Sequence, residues 1–247
     1  MDTKNLDRLR DKFSETTDGD ILDLLVDIIG KHVESMPPAA GLRFLFAMDA
    51  CLYELQGRLS VAYGGGVHTK HRHTRYHDFF TARTNQGERV LDVGCGIGFL
   101  AYDLAEKSGA NVYGIDLNPD NIAVAQARYQ HPNVAYIVGD VLKVSFEDPF
   151  DVVILSNVLE HLEDRPVFLR RLVRAVQPKR ILIRVPLFER DWRVPLKEEL
   201  GMDYRLDPTH YTEYTLESFA SEIQAAHLML TRQEVRWGEI WAEAAPQ

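Results

Sequence analysis

Asp92, Gly94, Gly96 and Gly98, at alternating positions in Arg89-Val90-Leu91-Asp92-Val93-Gly94-Cys95-Gly96-Ile97-Gly98-Phe99-Leu100, have the types and spacing of a ligand-binding turn. The apolar run Arg89–Val93 reads as a buried strand, and the residues after Gly98 as the apolar start of a helix. A strand, a glycine loop and a helix in that order make the binding turn of an open α/β sheet. Glycine is required because a Cβ would hold the backbone away from the ligand. A dinucleotide fingerprint would need its third glycine at position 99, where this chain has Phe99.

Three further groups could do chemistry. Asp116 closes a second strand in Tyr113-Gly114-Ile115-Asp116-Leu117-Asn118, where a carboxylate can accept both hydroxyl protons of a ribose, or can cap the helix that Asn118-Pro119 opens. Asp140, in Gly139-Asp140-Val141 at the end of a third strand, can accept from an adenine amino group or serve as a turn residue. Glu160 and His161 follow a fourth strand, and His210 stands in Pro208-Thr209-His210-Tyr211-Thr212-Glu213-Tyr214-Thr215. A histidine held near a hydroxyl can take its proton, although each of these two could instead be packed at a helix start.

Positioning these groups requires a regular frame. Strands are expected at Val90–Val93, Asn111–Ile115, Val134–Val138, Asp151–Leu155 and Arg180–Val185. Helices are expected near Gly98–Lys107, Pro119–Tyr129 and Arg165–Val176. Such alternation makes a parallel, doubly wound sheet, with the chemistry-bearing residues at the carboxyl ends of its strands. Pro186 to Tyr214 shows no period and is expected to be an irregular loop or lid, followed by helix Leu216–Ala226. Leu228–Val235 and Glu239–Ala242 read as a closing hairpin turning at Trp237-Gly238.

Residues 1–62 are expected to be helical. Leu6, Leu9 and Phe13 form one stripe, and Asp20 could cap a helix carrying Ile21, Leu24, Leu25, Ile28 and Ile29. After Pro37-Pro38, Leu42, Leu45, Met48, Leu52, Leu55 and Leu59 recur at helical spacing and are expected to pack as core or lid. Gly64-Gly65-Gly66 is expected to be a joint, dividing an appendage of residues 1–66 from a main domain of 67–247. Beyond it, Val67-His68-Thr69-Lys70-His71-Arg72-His73-Thr74-Arg75-Tyr76-His77 reads as a solvated basic segment that could steer an anionic substrate or contact a cofactor carboxylate, with a helix over Tyr76–Arg83.

The totals exclude several classes. The formal net charge of −9 argues against nucleic acid as a partner, since such binding rests on neutralising phosphates. No apolar run is long enough to span a membrane, and the polar start is no secretory signal. Cys51 and Cys95 do not make a disulfide framework, and a cytoplasmic setting is expected.

The Asp92-x-Gly94-x-Gly96-x-Gly98 pattern, with Asp116 and Asp140 following in order, resembles the class I S-adenosylmethionine (SAM) dependent methyltransferases over roughly Arg89 to Ala242. The resemblance implies a Rossmann-like, mostly parallel seven-stranded sheet with an antiparallel last strand, and SAM as cofactor. It implies that Asp92, Gly94, Cys95, Gly96 and Gly98 meet the methionine part of SAM, with Tyr76 alongside. Asp116, Leu117 and Asn118 would hold the ribose, and Gly139, Asp140 and Val141 the adenine, with Asn157 and Val158 facing the cofactor. The expected acceptor is a hydroxyl of a small molecule or a sugar of a glycan. His161, His210 and Glu160 are the candidates for catalysis, and Tyr211 and Tyr214 for lining the acceptor pocket. Acceptor contacts are expected from residues 1–62 and from Pro186–Tyr214. The run Asn157–His161 with a later His210 also partly resembles small-RNA 2′-O-methyltransferases, which bind a divalent ion through Glu-x-x-Glu-His and a later His, and ubiquinone-pathway O-methyltransferases, which carry a similar run. Asn157 replaces the first Glu, and a neutral amide is a weaker ligand for a hard cation, so no metal is expected. Rival readings are a non-catalytic SAM-binding scaffold with the N-terminal helices as partner surface, an RNA methyltransferase favoured by the basic stretch at 68–75, and an NAD-dependent oxidoreductase.

Overall fold

The structure, a computed structural model, describes residues 16–247; the stripe Leu6, Leu9 and Phe13 lies outside the described residues. Its contacts separate two units, one running to Leu59 and including Leu200–Met202, the other comprising Ser60–Glu199 and Asp203–Gln247. The first unit is built on helix α1 (Asp18–Glu34) and most of α2 (Pro38–Tyr63). Thr17, rather than Asp20, caps α1: its hydroxyl oxygen accepts from Asp20 N–H at 3.2 Å. Within this unit the expected core stripe is not buried. Leu45, Leu52, Leu55 and Leu59 are exposed, and among the described residues of α2 only Gly41 and Phe46 are buried. Helical spacing sets which residues share a face, but burial needs a partner for that face.

The second unit continues with α3 (Lys70–Thr74) and α4 (Tyr76–Thr81), then strand β1 (Arg89–Val93), α5 (Phe99–Ser108), β2 (Asn111–Asp116), α6 (Pro119–Arg128), β3 (Val134–Val138) and β4 (Val152–Ser156). After them come α7 (Arg165–Val176), β5 (Arg180–Pro186), α8 (Arg193–Glu199), α9 (Leu216–Ala225) and the hairpin β6 (Leu228–Arg236) and β7 (Glu239–Pro246). The strands form one seven-stranded sheet in the order β3-β2-β1-β4-β5-β7-β6. The first five are parallel, and β7 is antiparallel to β5.

The pleat sends alternate residues to opposite faces, and both faces are covered. Leu91, Val93, Val153, Leu155 and Ile183 lie on one, packed with Leu169 and Leu172 of α7 and Phe219 of α9. Val90, Val152, Ile154, Leu182 and Trp241 lie on the other, against Phe79 and Phe80 of α4 and Leu100 and Leu104 of α5. Each such aliphatic side chain contributes about 1.5–3 kcal/mol on burial, so the central strands are fixed from both sides. The helices begin at clear caps. Asn118 Oδ1 accepts from Asp120 N–H at 2.9 Å, Asp164 from Val167 N–H at 3.2 Å, and Thr215 and Ser218 close a reciprocal capping box.

The stretch expected to be irregular is ordered in detail. It holds a single 3-10 turn at Phe188–Arg190, helix α8, and a parallel bridge between Leu187 and Tyr214. Buried Glu213 organises it, accepting from Leu206 N–H at 2.5 Å and from Arg190. The basic segment is solvated only in part: Lys70, Arg72, His73 and Arg75 are exposed, whereas three of its histidines are built in. His68 Nδ1 lies 3.2 Å from Ser60 Oγ, His71 Nδ1 lies 3.0 Å from the Tyr76 hydroxyl, and buried His77 meets Asp103 Oδ2 at 2.7 Å. Helix α4 ends at Thr81, short of Arg83. Cys51 is exposed and Cys95 buried, and both are free thiols.

Candidate active site

The glycine loop is shaped by the strand beside it. Gly94 and Cys95 N–H both donate to the carbonyl of Ile115, at 2.8 and 3.1 Å, which folds the loop back over the end of β2. Gly98 has φ 84°, and a Cβ there would stand 2.7 Å from the Tyr136 hydroxyl and 2.8 Å from Ala125 Cβ. Only glycine meets both conditions. The Tyr136 hydroxyl donates to Gly98 O at 3.2 Å, so β3 supports the loop from beneath.

Over this loop lies a cavity of about 310 Å³. Asp92, Gly94, Cys95 and Gly96 form its floor, Tyr76 and His71 one wall, and Phe99 and Tyr129 another. Asp92 is buried, and its Oδ2 has no hydrogen-bond partner. Burial, reinforced by the charge of Asp116, lifts its carboxyl to about 7. Such a group is suited to meeting a ligand cation, which would favour the ionised form. Tyr76 carries the Arg184 guanidinium over its ring at 4.0 Å, and burial raises its hydroxyl to about 12, so it acts as a neutral hydrogen-bonding group. Cys95 is raised as well by burial, which makes it a neutral, unreactive thiol.

Asp116, Leu117, Asn118, Gly139 and Asp140 lie outside this cavity, along the carboxyl ends of β2 and β3. Asp116 is positioned on both oxygens: Oδ2 accepts from Gly96 N–H at 2.9 Å, and Oδ1 from Asn118 N–H at 2.8 Å. Leu117 is exposed beside it. Asp140 Oδ1 accepts from Leu142 N–H at 2.9 Å, a bond that holds its carboxyl below the usual range. The Val141 side chain is buried in the core, which leaves only its backbone for a ligand. Val158 abuts Gly94: its Cγ2 would be 3.0 Å from a Cβ at that position. Asn157 adopts φ 57° after β4, and its N–H donates to Arg184 O at 2.8 Å.

That left-handed turn leads to the second cluster. Asn157 Nδ2 donates to Glu160 Oε1 at 2.7 Å, while Glu160 is fully buried and its Oε2 has no partner. Burial raises the Glu160 carboxyl. The His161 and His210 rings stand 4.7 Å apart, nearly perpendicular. His161 Nδ1 is 2.9 Å from Thr209 Oγ1, and His210 Nδ1 is 3.2 Å from Glu213 Oε1. Tyr211 N–H donates to Glu160 O at 2.7 Å and ties the two segments together. Glu160, His161 and His210 each offer one ligand atom, all within 4.8 Å of one another, so this set could hold a cation. Tyr211 is exposed, whereas Tyr214 is buried in the core with its hydroxyl donating to Glu222 at 3.0 Å, which removes it from any pocket lining.

Sequence reasoning missed Gly66, Ile97, Phe99, Leu100, Tyr129 and Ser156 as cavity residues, and offered Val67, His68 and His71 only as part of a basic segment that could reach the cofactor. Phe99 was legible only as the residue that excludes a dinucleotide fingerprint. His68 and His71 stood in a conspicuous run, but nothing in their spacing shows that Ser60 and Tyr76 hold them at the cavity.

Residues 91–183 match the family described as a methyltransferase domain. The 2-methyl-6-phytyl-1,4-hydroquinone methyltransferase of Synechocystis sp. is 37% identical over 150 residues, covering 58% of this chain and 47% of that protein. A ubiquinone biosynthesis O-methyltransferase of Bradyrhizobium diazoefficiens is 34% identical over 122 residues, 49% of this chain and 47% of its own. The chain thus spans about half the length of these curated relatives. Among solved structures, magnesium protoporphyrin IX methyltransferase of Synechocystis with bound SAH (S-adenosylhomocysteine) aligns with TM-score 0.57 at 20% identity, over 71% of this chain and 84% of that one. The cyclase SpnF aligns with TM-score 0.54 at 16% identity, over 70% and 81%, so the fold alone does not name a reaction.

Proposed function

We propose, since this chain belongs to the class I SAM-dependent methyltransferases, that it transfers the methyl group of SAM to a hydroxyl of a small molecule. One observation carries the reading: the Gly94–Gly98 loop and the Asp116 carboxylate are joined by the Gly96 N–H at the carboxyl ends of adjacent strands. That arrangement offers a close-approach backbone for the methionine part and a fixed acceptor for the ribose hydroxyls. Asp92 supplies the countercharge for the cofactor's ammonium, and Leu117 an apolar face for the adenine, with Asp140 for its amino group. Residues 67–247 form the catalytic domain in this reading and 1–66 an appendage.

Methyl transfer is a displacement at a carbon that the sulfonium already activates, so the chain mainly aligns nucleophile, methyl and sulfur. A hydroxyl acceptor must also lose its proton as the oxygen–carbon bond forms. His210 is assigned that proton: Glu213 holds its Nδ1 side, leaving Nε2 to accept. Glu160, held by Asn157, orients the neighbouring groups. The relatives include both O- and N-methyltransferases, so the choice of a hydroxyl rests on this cluster. Phenolic and hydroquinone compounds are the first acceptors to try, given the relatives' names.

A second use of the same residues is favoured by one observation, the unpartnered buried Oε2 of Glu160 beside two histidines. A divalent cation on Glu160, His161 and His210 would lower the acceptor hydroxyl's pKa in place of a base.

Calorimetry with SAH and with NAD tests the main reading. Binding of SAH in preference to NAD is expected; NAD binding without SAH binding would refute it.

A further inference from the structure

A second, larger cavity of about 540 Å³ adjoins the first and is not used by the reading above. The two share Val67, His68, His71 and Phe99 as a common wall. Besides this wall, Gly64 and Thr69, the second is lined by polar and charged groups of three helices: Arg72 of α3, His77 and Asp78 of α4, and Asp103 and Lys107 of α5, with Arg75 between α3 and α4. The first cavity is lined by no lysine or arginine.

The charges of this second lining do not cancel. Asp78 is held by Arg75 at 2.5 Å, and Asp103 by Lys107 at 2.6 Å as well as by His77 Nδ1 at 2.7 Å. Both carboxylates are therefore spoken for, while Arg72 has no carboxylate partner among the described residues and only lies 5.9 Å over the Tyr63 ring. His77 is buried, and its Nε2 is without a partner. Burial keeps the histidines of the shared wall neutral, as hydrogen-bonding groups. His71 is pushed down to about 4 by burial and by Lys70, His77, Arg184 and His68. His68 is lowered by burial and by Lys70, and Lys70 by burial and by Arg184 against the opposing charge of Glu239. Three cations, Arg72, Arg75 and Lys107, face two carboxylates, Asp78 and Asp103, in this lining, and an anion is the neighbour that would balance it.

We propose that this cavity takes the anionic end, a carboxylate or a phosphate monoester, of the acceptor molecule, with Arg72 as its principal partner. The inference rests on the methyltransferase reading for the word acceptor, but the anion site can be tested without knowing the acceptor.

The experiment titrates the full chain, with and without saturating SAH, using inorganic phosphate, benzoate and, as an uncharged control, phenol, followed by NMR. Saturable binding of phosphate or benzoate but not of phenol is expected, and which of the two binds tells a phosphate from a carboxylate source. Arg72→Glu should weaken it roughly tenfold or more, the scale of a charge-assisted hydrogen bond. Arg174→Glu, on the exposed side of α7, should leave it unchanged. Absence of saturable anion binding, or equal loss in both variants, overturns the proposal. So does an equal loss of SAH affinity in Arg72→Glu, which would make the cavity part of the cofactor site. Failure of the wild-type chain to bind SAH at all would instead strike the methyltransferase reading, while the anion titration still decides the site.

Discussion

Gly96 N–H donates to Asp116 Oδ2 at 2.9 Å, so the glycine loop and the carboxylate at the end of β2 form one hydrogen-bonded unit. Replacing Asp116 removes the bond that ties the loop to β2 and, in the proposed reading, a contact to the cofactor as well. Asp116→Ala is expected to weaken SAH binding by about 1.5–3 kcal/mol, the range for hydrogen bonds to a charged group, while the far-ultraviolet circular dichroism stays native. Asp116→Asn, which keeps one acceptor, should lose less. An unchanged dissociation constant in the alanine variant would remove Asp116 from the site.

Asp92 gives the ligand-free protein a pH signature. Its carboxyl moves from 3.8 to about 7 on folding, through burial first and Asp116 second, so between those values the folded chain keeps a proton that the unfolded chain has lost. Stability therefore falls as pH rises through that window. Thermal melts of the ligand-free protein should show a declining Tm from pH 5 to pH 7 attributable to this group, and Asp92→Asn should flatten it. A variant with the same slope as wild type would show that Asp92 is not the source.

Gly98→Ala tests the support from beneath. The left-handed backbone costs an alanine about 1–2 kcal/mol, and the new methyl meets Tyr136 and Ala125 as well. A lower Tm and loss of SAH binding are expected together. The double variant Gly98→Ala/Tyr136→Phe should regain part of the Tm if the hydroxyl contact is the cause.

Chelation separates the two uses of the Glu160 cluster. With His210 as base, turnover of a phenolic acceptor, followed as SAH release, survives exhaustive chelation and falls by about 10²–10⁴ in His210→Ala. Activity lost with chelator and restored by magnesium, manganese or zinc assigns Glu160, His161 and His210 to a cation instead.

The sheet was legible because its signals are local. Strand runs such as Val152-Val153-Ile154-Leu155 are apolar on both faces, and breaks such as Asn118-Pro119 carry a capping side chain next to a proline. Asp92, Gly94 and Gly96 were legible for the same reason, as they sit within one turn. The rest depends on who meets whom. The spacing of Leu45, Leu52 and Leu55 states a face without saying whether anything covers it. Helix α8 escaped notice because it is seven residues long and contains Pro195. Glu160 and His210, far apart in sequence, are grouped by the family resemblance and not by any local pattern; the Tyr211–Glu160 backbone bond is what brings their segments together.

The position of β7 has a bearing on biosynthesis. This strand fills the edge of β5 and delivers Trp241 to the core beneath α4, although it emerges from the ribosome long after the glycine loop. Until it arrives, a growing chain that already holds every element of the ligand cavity presents an unpaired β5 edge of Ile181, Leu182 and Ile183. Vectorial synthesis therefore gives this protein an interval of exposure to edge-to-edge association, and a nascent chain stalled before Trp241 would be the species for a chaperone to hold.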